Sequence, residues 1–455
     1  MYFLYSLLLT LGVVALLPRF VVDAFRHGKY VQGLRERLGR LPVIETNGRP
    51  VIWLHCVSVG EAQAARPLAR AILEKFPTHA LVVSTTTLTG QRIARDVFRD
   101  DATAVFYFPF DWAWTARRSL RAVNPSIVLI METELWPNFL HQCRKRSVPV
   151  AIVNGRLSER SYHRYRIVRR FVKRIVNHLE LALMQTEQDA ERMRGLGLAT
   201  ERVFVSGNVK FDAPDDAGEQ RLTDELRERF QFNDARPLFV AASTHSPEER
   251  IIIEAFTQLR STPGHAQVRL LIAPRHPERF PEVAALLESS GFIWARRSDA
   301  RSERDSVCDA ILLDSIGELR AVYPLARIVF VGGSLAQTGG HNILEPAMVG
   351  ACTLTGAHTF NFTAIVRAFL EADALVQLPP LSESDAPAAL AKTLTELLAN
   401  DERRRAIGEN ARRVLEQNRG ATERTIKLLT TLFHVSSDSP EQPQTETATR
   451  DALSA

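Results

Sequence analysis

Residues 51–76 read VIWLHCVSVGEAQAARPLARAILEKF. A short apolar run, VIWLHC (51–56), leads through Ser58 and Gly60 into a helix-period stretch from Glu61 to Phe76. A continuous run of this kind suits a strand buried on both faces of a parallel sheet. The unit recurs. LVVSTT (81–86), AVFYFPF (104–110), SIVLIME (126–132), PVAIVN (149–154), LELALM (179–184) and VFVSG (203–207) follow, most of them separated by amphipathic stretches such as Trp136–Ser147. After a polar segment from Phe211 to Pro237 a second series begins. It runs through LFVAAS (238–243), VRLLIAP (268–274), AILLD (310–314), RIVFVGG (327–333) and ACTLTG (351–356). Repeated strand–helix–strand units predict doubly wound sheets, and two series predict two similar α/β halves. Ligands of such sheets bind beyond the carboxyl ends of the strands, so strand ends are where chemistry is sought.

The composition agrees. The 455 residues are 45% hydrophobic and 24% charged, which excludes a disordered, collagenous or many-span membrane chain. Two or three domains are expected for that length. Cys56, Cys143, Cys308 and Cys352 lie far apart with no CxxC, which argues against a disulfide scaffold or zinc site. The net charge is +5, too mild to require nucleic acid. Residues 436–455 carry −3 of polar, Ser/Thr/Pro/Gln-rich sequence, leaving +8 on residues 1–435. That end is expected to be a disordered tail.

Residues 1–17, MYFLYSLLLTLGVVALL, hold no charge and are closed by Pro18 and Arg19. A span needs about 20 apolar residues, so a membrane anchor over 1–20 either spans or lies in the interface. A buried core helix is the alternative. Arg19, Arg26, Lys29, Arg35, Arg37, Arg40 and Arg49 outnumber Asp23, Glu36 and Glu45, which keeps the body on the cytoplasmic side. Residues 156–174 carry eight basic side chains and one acid, Glu159, with Tyr162, Tyr165, Val168, Phe171 and Val172 at helical spacing. Such a helix either rests on anionic lipid or is simply a solvated surface helix.

Several strand ends concentrate functional side chains. In HCVSVGE (55–61), Ser58-x-x-Glu61 reads as a capping box, or Glu61 acts as a general base. A helix N-terminus stabilises carboxylate, so a useful base there needs burial to offset the dipole. In ETELWPN (132–138), Glu132 and Glu134 point the same way if the strand persists, and Pro137 suits a first helical turn. Lys210 in GNVKFD (207–212) ends a strand and is suited to neutralising a leaving phosphate. The second half offers PRHP (274–277), IGEL (316–319), GGSL (332–335) and GGHNILEP (339–346). Gly339 and Gly340 allow backbone N–H groups to approach a phosphate, and Glu345 is placed to accept ribose hydroxyls. SPEE (246–249) reads as a helix cap. No GxGxxG follows the first strand and no GxxxxGK[ST] occurs, which disfavours a dehydrogenase or P-loop enzyme. No D-x-D triplet supports a metal-held diphosphate.

HCVSVGE, METELWPN, NGRLS, GNVKFD, PRHPERF and FVGGSL followed by GGHNILEPA together resemble the 3-deoxy-D-manno-octulosonic acid (Kdo) transferases of Gram-negative bacteria. The resemblance runs to about Phe433 and excludes the tail. It implies a GT-B glycosyltransferase: two Rossmann-like doubly wound domains facing a central cleft, with an N-terminal membrane anchor helix. The implied domains are an anchor (1–20), an acceptor domain (21–212), a linker (213–237), a CMP-sugar-binding domain (238–434) and a tail (435–455). The implied donor is CMP-Kdo. The implied acceptor is the acylated glucosamine disaccharide precursor of lipid A, at the cytoplasmic face of the inner membrane among anionic lipids. No metal or other cofactor and no nucleic acid is implied. The family's base falls on Glu61, and its transition-state residues on Glu132 and Lys210. Its CMP contacts fall on Pro274 and Arg275, on Ile316, Gly317 and Glu318, and on Asn342, Ile343, Leu344 and Glu345. Cys56 departs from the Ser frequent in the family. Two other readings compete: a GT-B transferase or epimerase using a UDP-sugar, and a membrane-tethered GT-B scaffold without activity.

Overall fold

The computed structural model describes residues 1–27, 33–212 and 217–437. Among the described residues fourteen strands form two sheets. The first comprises β1 (Val51–His55), β2 (Ala80–Thr85), β3 (Ala104–Tyr107), β4 (Pro125–Met131), β5 (Val150–Gly155), β6 (Leu181–Met184) and β7 (Val203–Val205). The second comprises β8 (Leu238–Thr244), β9 (Arg269–Pro274), β10 (Trp294–Arg296), β11 (Ala310–Leu312), β12 (Ile328–Val331), β13 (Cys352–Thr355) and β14 (Val376–Gln377). The strand orders are β3-β2-β1-β4-β5-β6-β7 and β10-β11-β9-β8-β12-β13-β14, and every ladder is parallel. The order reverses between β1 and β4 in the first sheet and between β8 and β12 in the second, where in addition β11 is inserted between β9 and β10. Those reversals are the switch points at which open α/β sheets bind ligands.

The apolar runs explain the sheets. Along β1, Val51 and Trp53 join one core cluster while Ile52 and Leu54 join another on the opposite face. Along β4, Val128 and Ile130 divide in the same way from Ile127, Leu129 and Met131. Side chains alternate across a strand, so only a sheet covered by helices on both faces buries an unbroken apolar run. In the second unit Phe239, Ala241, Leu270, Ile272, Ile328 and Phe330 form the equivalent core.

The two compact units are not cut where the sequence suggests. The second contains the described residues of Pro214–Arg419, and the first those of Met1–Ala213 and Gly420–Ala455. The helix Ala421–Ser437 therefore belongs to the first unit, whereas the sequence reading put residues up to 434 in the second. Its Ala421 and Leu429 complete the core beneath the helix Val59–Lys75, and Phe433 stacks on Phe76 with centroids 3.9 Å apart. The Asp212 carboxylate fixes the return by accepting from Gly420 N at 2.7 Å and Thr422 N at 2.5 Å.

The expected linker, 213–237, also differs. Residues 213–216 lie outside the described residues, but Ala217–Phe230 is a 14-residue helix of the second unit. Leu226 and Phe230 are fully buried, and the Arg229 Nε–Asp305 ion pair is 2.8 Å long and buried. The expected tail from 435 is helical to Ser437, and its remainder lies outside the described residues.

The N-terminal helix runs from Tyr2 to His27. One stripe of it bonds to the first unit. Tyr2 Oη is 2.6 Å from His178 Nε2, Ser6 Oγ accepts from Asn138 at 3.0 Å, and Thr10 Oγ1 accepts from Trp112 Nε1 at 3.0 Å. Tyr5 shares a hydrogen bond with Asp111, a carboxylate that burial raises to a pKa of about 7. Phe3, Leu4, Leu7, Leu8, Leu11 and Val14 are exposed on the rest of the helix. Among the described residues no helix is long and apolar enough to cross a membrane. The basic segment forms two helices, Glu159–Ile167 and Arg169–Val176, instead of one, broken at Val168.

Candidate functional site

At the switch point of the first sheet, β1 leads into the helix Val59–Lys75, whose N-cap is Ser58. Ser58 Oγ accepts from Glu61 N at 3.4 Å and donates to Glu61 Oε1 at 2.8 Å, while Val57 N donates to Oε2 at 2.8 Å. The capping box therefore forms, with the Glu61 carboxylate turned back onto Val57 N and Ser58 Oγ. Glu61 is only 8% exposed. Burial first, and then the Glu132 charge, raise its pKa to about 7 against the hydrogen bonds that lower it. Burial thus outweighs the N-terminal dipole and donors.

Beneath it, His55 is fully buried and stacked on Phe108 with centroids 4.0 Å apart. Burial holds its pKa near 3, and Nδ1 faces the Ser84 carbonyl at 3.1 Å, so it is a neutral structural group.

Strand β4 stops at Met131, and Glu132 turns left-handed with φ 56°. The alternation that was to align Glu132 with Glu134 therefore fails at its first residue. The two carboxylates still interact: burial and then Glu132 raise the Glu134 pKa. Left-handed backbone at a non-glycine residue is strained, and strain of this kind concentrates at functional sites. Glu132 Oε1 meets Lys210 Nζ at 3.4 Å. Pro137 takes the first turn of its helix, as expected.

Lys210 sits on a single 3-10 turn, Val209–Asp212. Two asparagines place that turn. Asn208 Oδ1 accepts from Lys210 N at 3.0 Å, and Asn154 Oδ1 accepts from Val209 N at 3.1 Å. Asn154 is fully buried at the end of β5 with φ 53°. It stands in the NGRLS motif but escaped the sequence reading as a site residue; a polar residue closing a core strand was the available signal.

In the second unit, Pro274 is buried at the end of β9 and Arg275 N bonds to the Thr244 carbonyl at 3.0 Å, leaving the Arg275 side chain exposed. Arg275 acts electrostatically on Glu345, whose pKa burial raises and whose Oε1 accepts from Asn342 Nδ2 at 3.2 Å. Ile343 and Leu344 are buried behind them. Two expectations shift. Glu318 is held by Arg297 at 2.7 and 3.1 Å and by Ser315 at 2.8 Å, so its carboxylate is committed within the fold, while Ile316 is 82% exposed and Gly317 has φ 88°. Gly340 N donates to the Gly333 carbonyl at 2.7 Å and is not available to a phosphate. Gly339, with φ 99°, has no room for a Cβ against Asn361 and Phe360.

The GGSL segment is occupied by the protein's own anion. Glu248, read from sequence as a cap, accepts from Gly333 N at 2.7 Å, Ser334 N at 2.8 Å, Leu335 N at 2.8 Å, Ala336 N at 3.2 Å and His245 N at 3.0 Å. It ties the β8 loop to the β12 loop. A cavity of about 380 Å³ opens beside it, lined among others by Ser246, Thr338, His358 and Ser382.

Comparison with known proteins bears on the family. The family model described as 3-deoxy-D-manno-octulosonic-acid transferase (kdotransferase) matches residues 32–213. A 3-deoxy-D-manno-octulosonic acid transferase of Haemophilus influenzae is 34% identical over 94% of this chain and 97% of that protein. One of Bordetella pertussis is 34% identical over 83% and 86%. The UDP-GlcNAc 2-epimerase of Neisseria meningitidis is 13% identical over 84% of this chain and 100% of that one, with a TM-score of 0.55, a likeness of fold alone. With a third of its residues shared along nearly the whole length of a curated Kdo transferase, the chain belongs to that family and is a glycosyltransferase.

Proposed function

We propose that the protein transfers Kdo from CMP-Kdo to the acylated glucosamine disaccharide precursor of lipid A, with inversion, from the cytoplasmic face of the inner membrane. The observation that carries this reading is the buried Glu61, its pKa raised to about 7 in part by Glu132, which in turn pairs with Lys210. A base poised near the working pH is the optimum for taking a proton from a hydroxyl.

Glu61 removes the proton from a primary hydroxyl of the acceptor, and that oxygen attacks the anomeric carbon opposite the nucleotide. The bond to the nucleotide's phosphate oxygen breaks, and CMP leaves with the electron pair. The transition state is oxocarbenium-like. Lys210 supplies positive charge, and Glu132 holds it. In the second unit Arg275 meets the phosphate, Glu345 the ribose, and the backbone of 316–318 the cytosine. Charge is met by side chains throughout, and the step uses no metal.

The N-terminal helix supports a position in the membrane interface rather than across it. A helix whose one stripe is hydrogen-bonded to the body presents only its other faces to lipid, and there the exposed residues are Phe3, Leu4, Leu7, Leu8 and Leu11. Exposed Ile167 and Val168 stand among the arginines of the basic pair of helices, suited to anionic lipid. The test is mass spectrometry of the product from purified protein, CMP-Kdo and a tetra-acylated precursor. A mass increase by Kdo is expected; an unchanged acceptor, or transfer from a UDP-sugar instead, overturns the reading.

A further inference from the structure

The loops at the switch point of the second sheet bring together four groups that carry or accept positive charge. His245 follows β8, Arg275 and His276 follow β9, and His341 closes the loop after β12. His245 Nε2 and His341 Nε2 are 2.7 Å apart in rings within 6° of parallel. Two nitrogens that close share a proton, so one ring donates and the other accepts. The His276 ring stands edge-on to His245 with centroids 5.1 Å apart. Among the described residues no three His, Cys, Asp or Glu side chains are placed to hold a metal ion.

The nearby acids are committed elsewhere. Glu248 is saturated by its five backbone N–H groups, and Glu249 is held by Arg279 at 3.0 and 3.1 Å. The remaining basic neighbours of the pair are the guanidinium groups of Arg275 and Arg279 and the His276 ring. Burial, then Arg275, His245 and His276, hold His341 at a pKa of about 3. Burial and the same kind of neighbours lower His245, against Glu249. Neutral imidazoles packed among cations, with no free acid, are uncompensated until an anion arrives.

We infer that His245 and His341, flanked by Arg275 and His276, form an oxyanion cradle that takes up one proton from solvent when its ligand is seated. The proton goes to Nδ1 of the donating ring, which keeps its Nε2–H on the neighbour; no bond in the ligand is made or broken. The inference rests on the donor reading above. The oxyanion is the nucleotide's phosphate or the carboxylate on the sugar's anomeric carbon.

Titration calorimetry of the full-length protein in two buffers of different protonation enthalpy tests it, at about pH 7.5, where a phosphate monoester with a second pKa near 6 is already dianionic. Seating CMP or free Kdo is expected to take up about half to one proton, so that affinity falls up to about tenfold per pH unit. Uptake with CMP alone assigns the phosphate, and uptake with Kdo alone the carboxylate; each supports the cradle. Uptake with cytidine, which has neither, overturns it. His341→Gln and His245→Gln are expected to abolish uptake and flatten the pH slope; uptake that persists in both overturns the assignment. Nitrogen-15 spectra of the histidine-labelled wild type need no substitution: one imidazole is expected to become imidazolium on saturation, and an unchanged spectrum overturns the inference. CMP binding without uptake defeats the cradle and spares the donor reading. UMP binding with uptake, where CMP does not bind, does the reverse. Binding by none of these anions defeats both.

Discussion

Glu61 and Glu248 occupy the same place in two parallel sheets whose strand orders differ: each lies in the first turn of the helix that follows the strand at the central reversal, β1 in one and β8 in the other. Both are buried, and burial raises the pKa of both. Their partners differ. Glu61 meets one backbone N–H and one hydroxyl, and shares its surroundings with Glu132 and Glu134. Glu248 meets five backbone N–H groups and no acid. A carboxylate with few donors and like-charged neighbours is ready to take a proton; one saturated with donors is a structural anion. The same position thus yields the proposed base in one unit and a brace in the other. The loops around it follow suit, gathering carboxylates in the first and imidazoles with arginine in the second.

The comparison breaks most sharply at Glu61. Glu61→Gln keeps the shape and removes the base, so CMP release with lipid acceptor is expected to fall about 10²–10⁴-fold. Stability moves the other way. The folded pKa is raised from 4.5 to about 7, so the contribution of Glu61 is full below about pH 4 and is lost as pH rises through about 7. Thermal melts should therefore show the variant more stable than wild type at pH 8, on the order of 1–3 kcal/mol, with the gap closing near pH 4. Near-normal turnover of the folded variant would remove Glu61 from the mechanism.

Glu248→Ala is the matched experiment. Removing the carboxylate leaves five buried N–H groups short of an acceptor, and a loss on the order of 3–5 kcal/mol is expected. Chemical denaturation reads it. A variant as stable as wild type would show that the β8 and β12 loops do not depend on this brace.

How far the sequence carried the reading follows from the same physics. Unbroken apolar runs announce parallel strands because only a strand covered on both faces needs them, and β1, β4, β8 and β12 stand where those runs lie. Partnership between distant elements leaves no such local mark. Ala421–Ser437 has an apolar stripe, but nothing in that stripe says which of two similar cores it completes. Ala217–Phe230 looks like a linker because most of its residues are polar, while its core side buries only two large apolar residues, Leu226 and Phe230, beside the polar Thr223 and Arg229. Glu248 was legible as a cap, yet four of the five donors that define it come from a loop nearly ninety residues away. Left-handed backbone at Glu132 has no sequence signature, and at Asn154 only the tolerance of asparagine for that conformation hints at it.

Asn154 tests the cation of the first unit at a smaller scale. Its Oδ1 holds the turn that carries Lys210. Asn154→Ala is expected to lower kcat about tenfold with KM for the donor nearly unchanged, as a positioning loss acts on the transition state. Asn154→Asp retains an acceptor and should restore most of it. In a double-mutant cycle with Lys210→Ala the two losses should not add, since residues in one network couple. Strict additivity would make Asn154 structural only.

The smallest effect separates electrostatics from contact. Glu132 is the second cause, after burial, of the raised Glu61 pKa, and it also holds Lys210 at 3.4 Å. Glu132→Gln removes the like charge and loosens the lysine, so the rate falls, and the rate alone does not say which loss matters. The pH profile does. Without the Glu132 charge the Glu61 carboxylate ionises more readily, and the acidic limb of kcat/KM should move down by about half to one pH unit. Loosening Lys210 moves no such limb, and Lys210→Ala should leave its position within that range or raise it, because a nearby cation is lost. A limb that stays at about pH 7 in Glu132→Gln would mean that burial alone sets the Glu61 proton affinity. The acidic gathering at the first switch point would then serve to hold Lys210, and the contrast with the second unit would rest on solvent exclusion instead of charge.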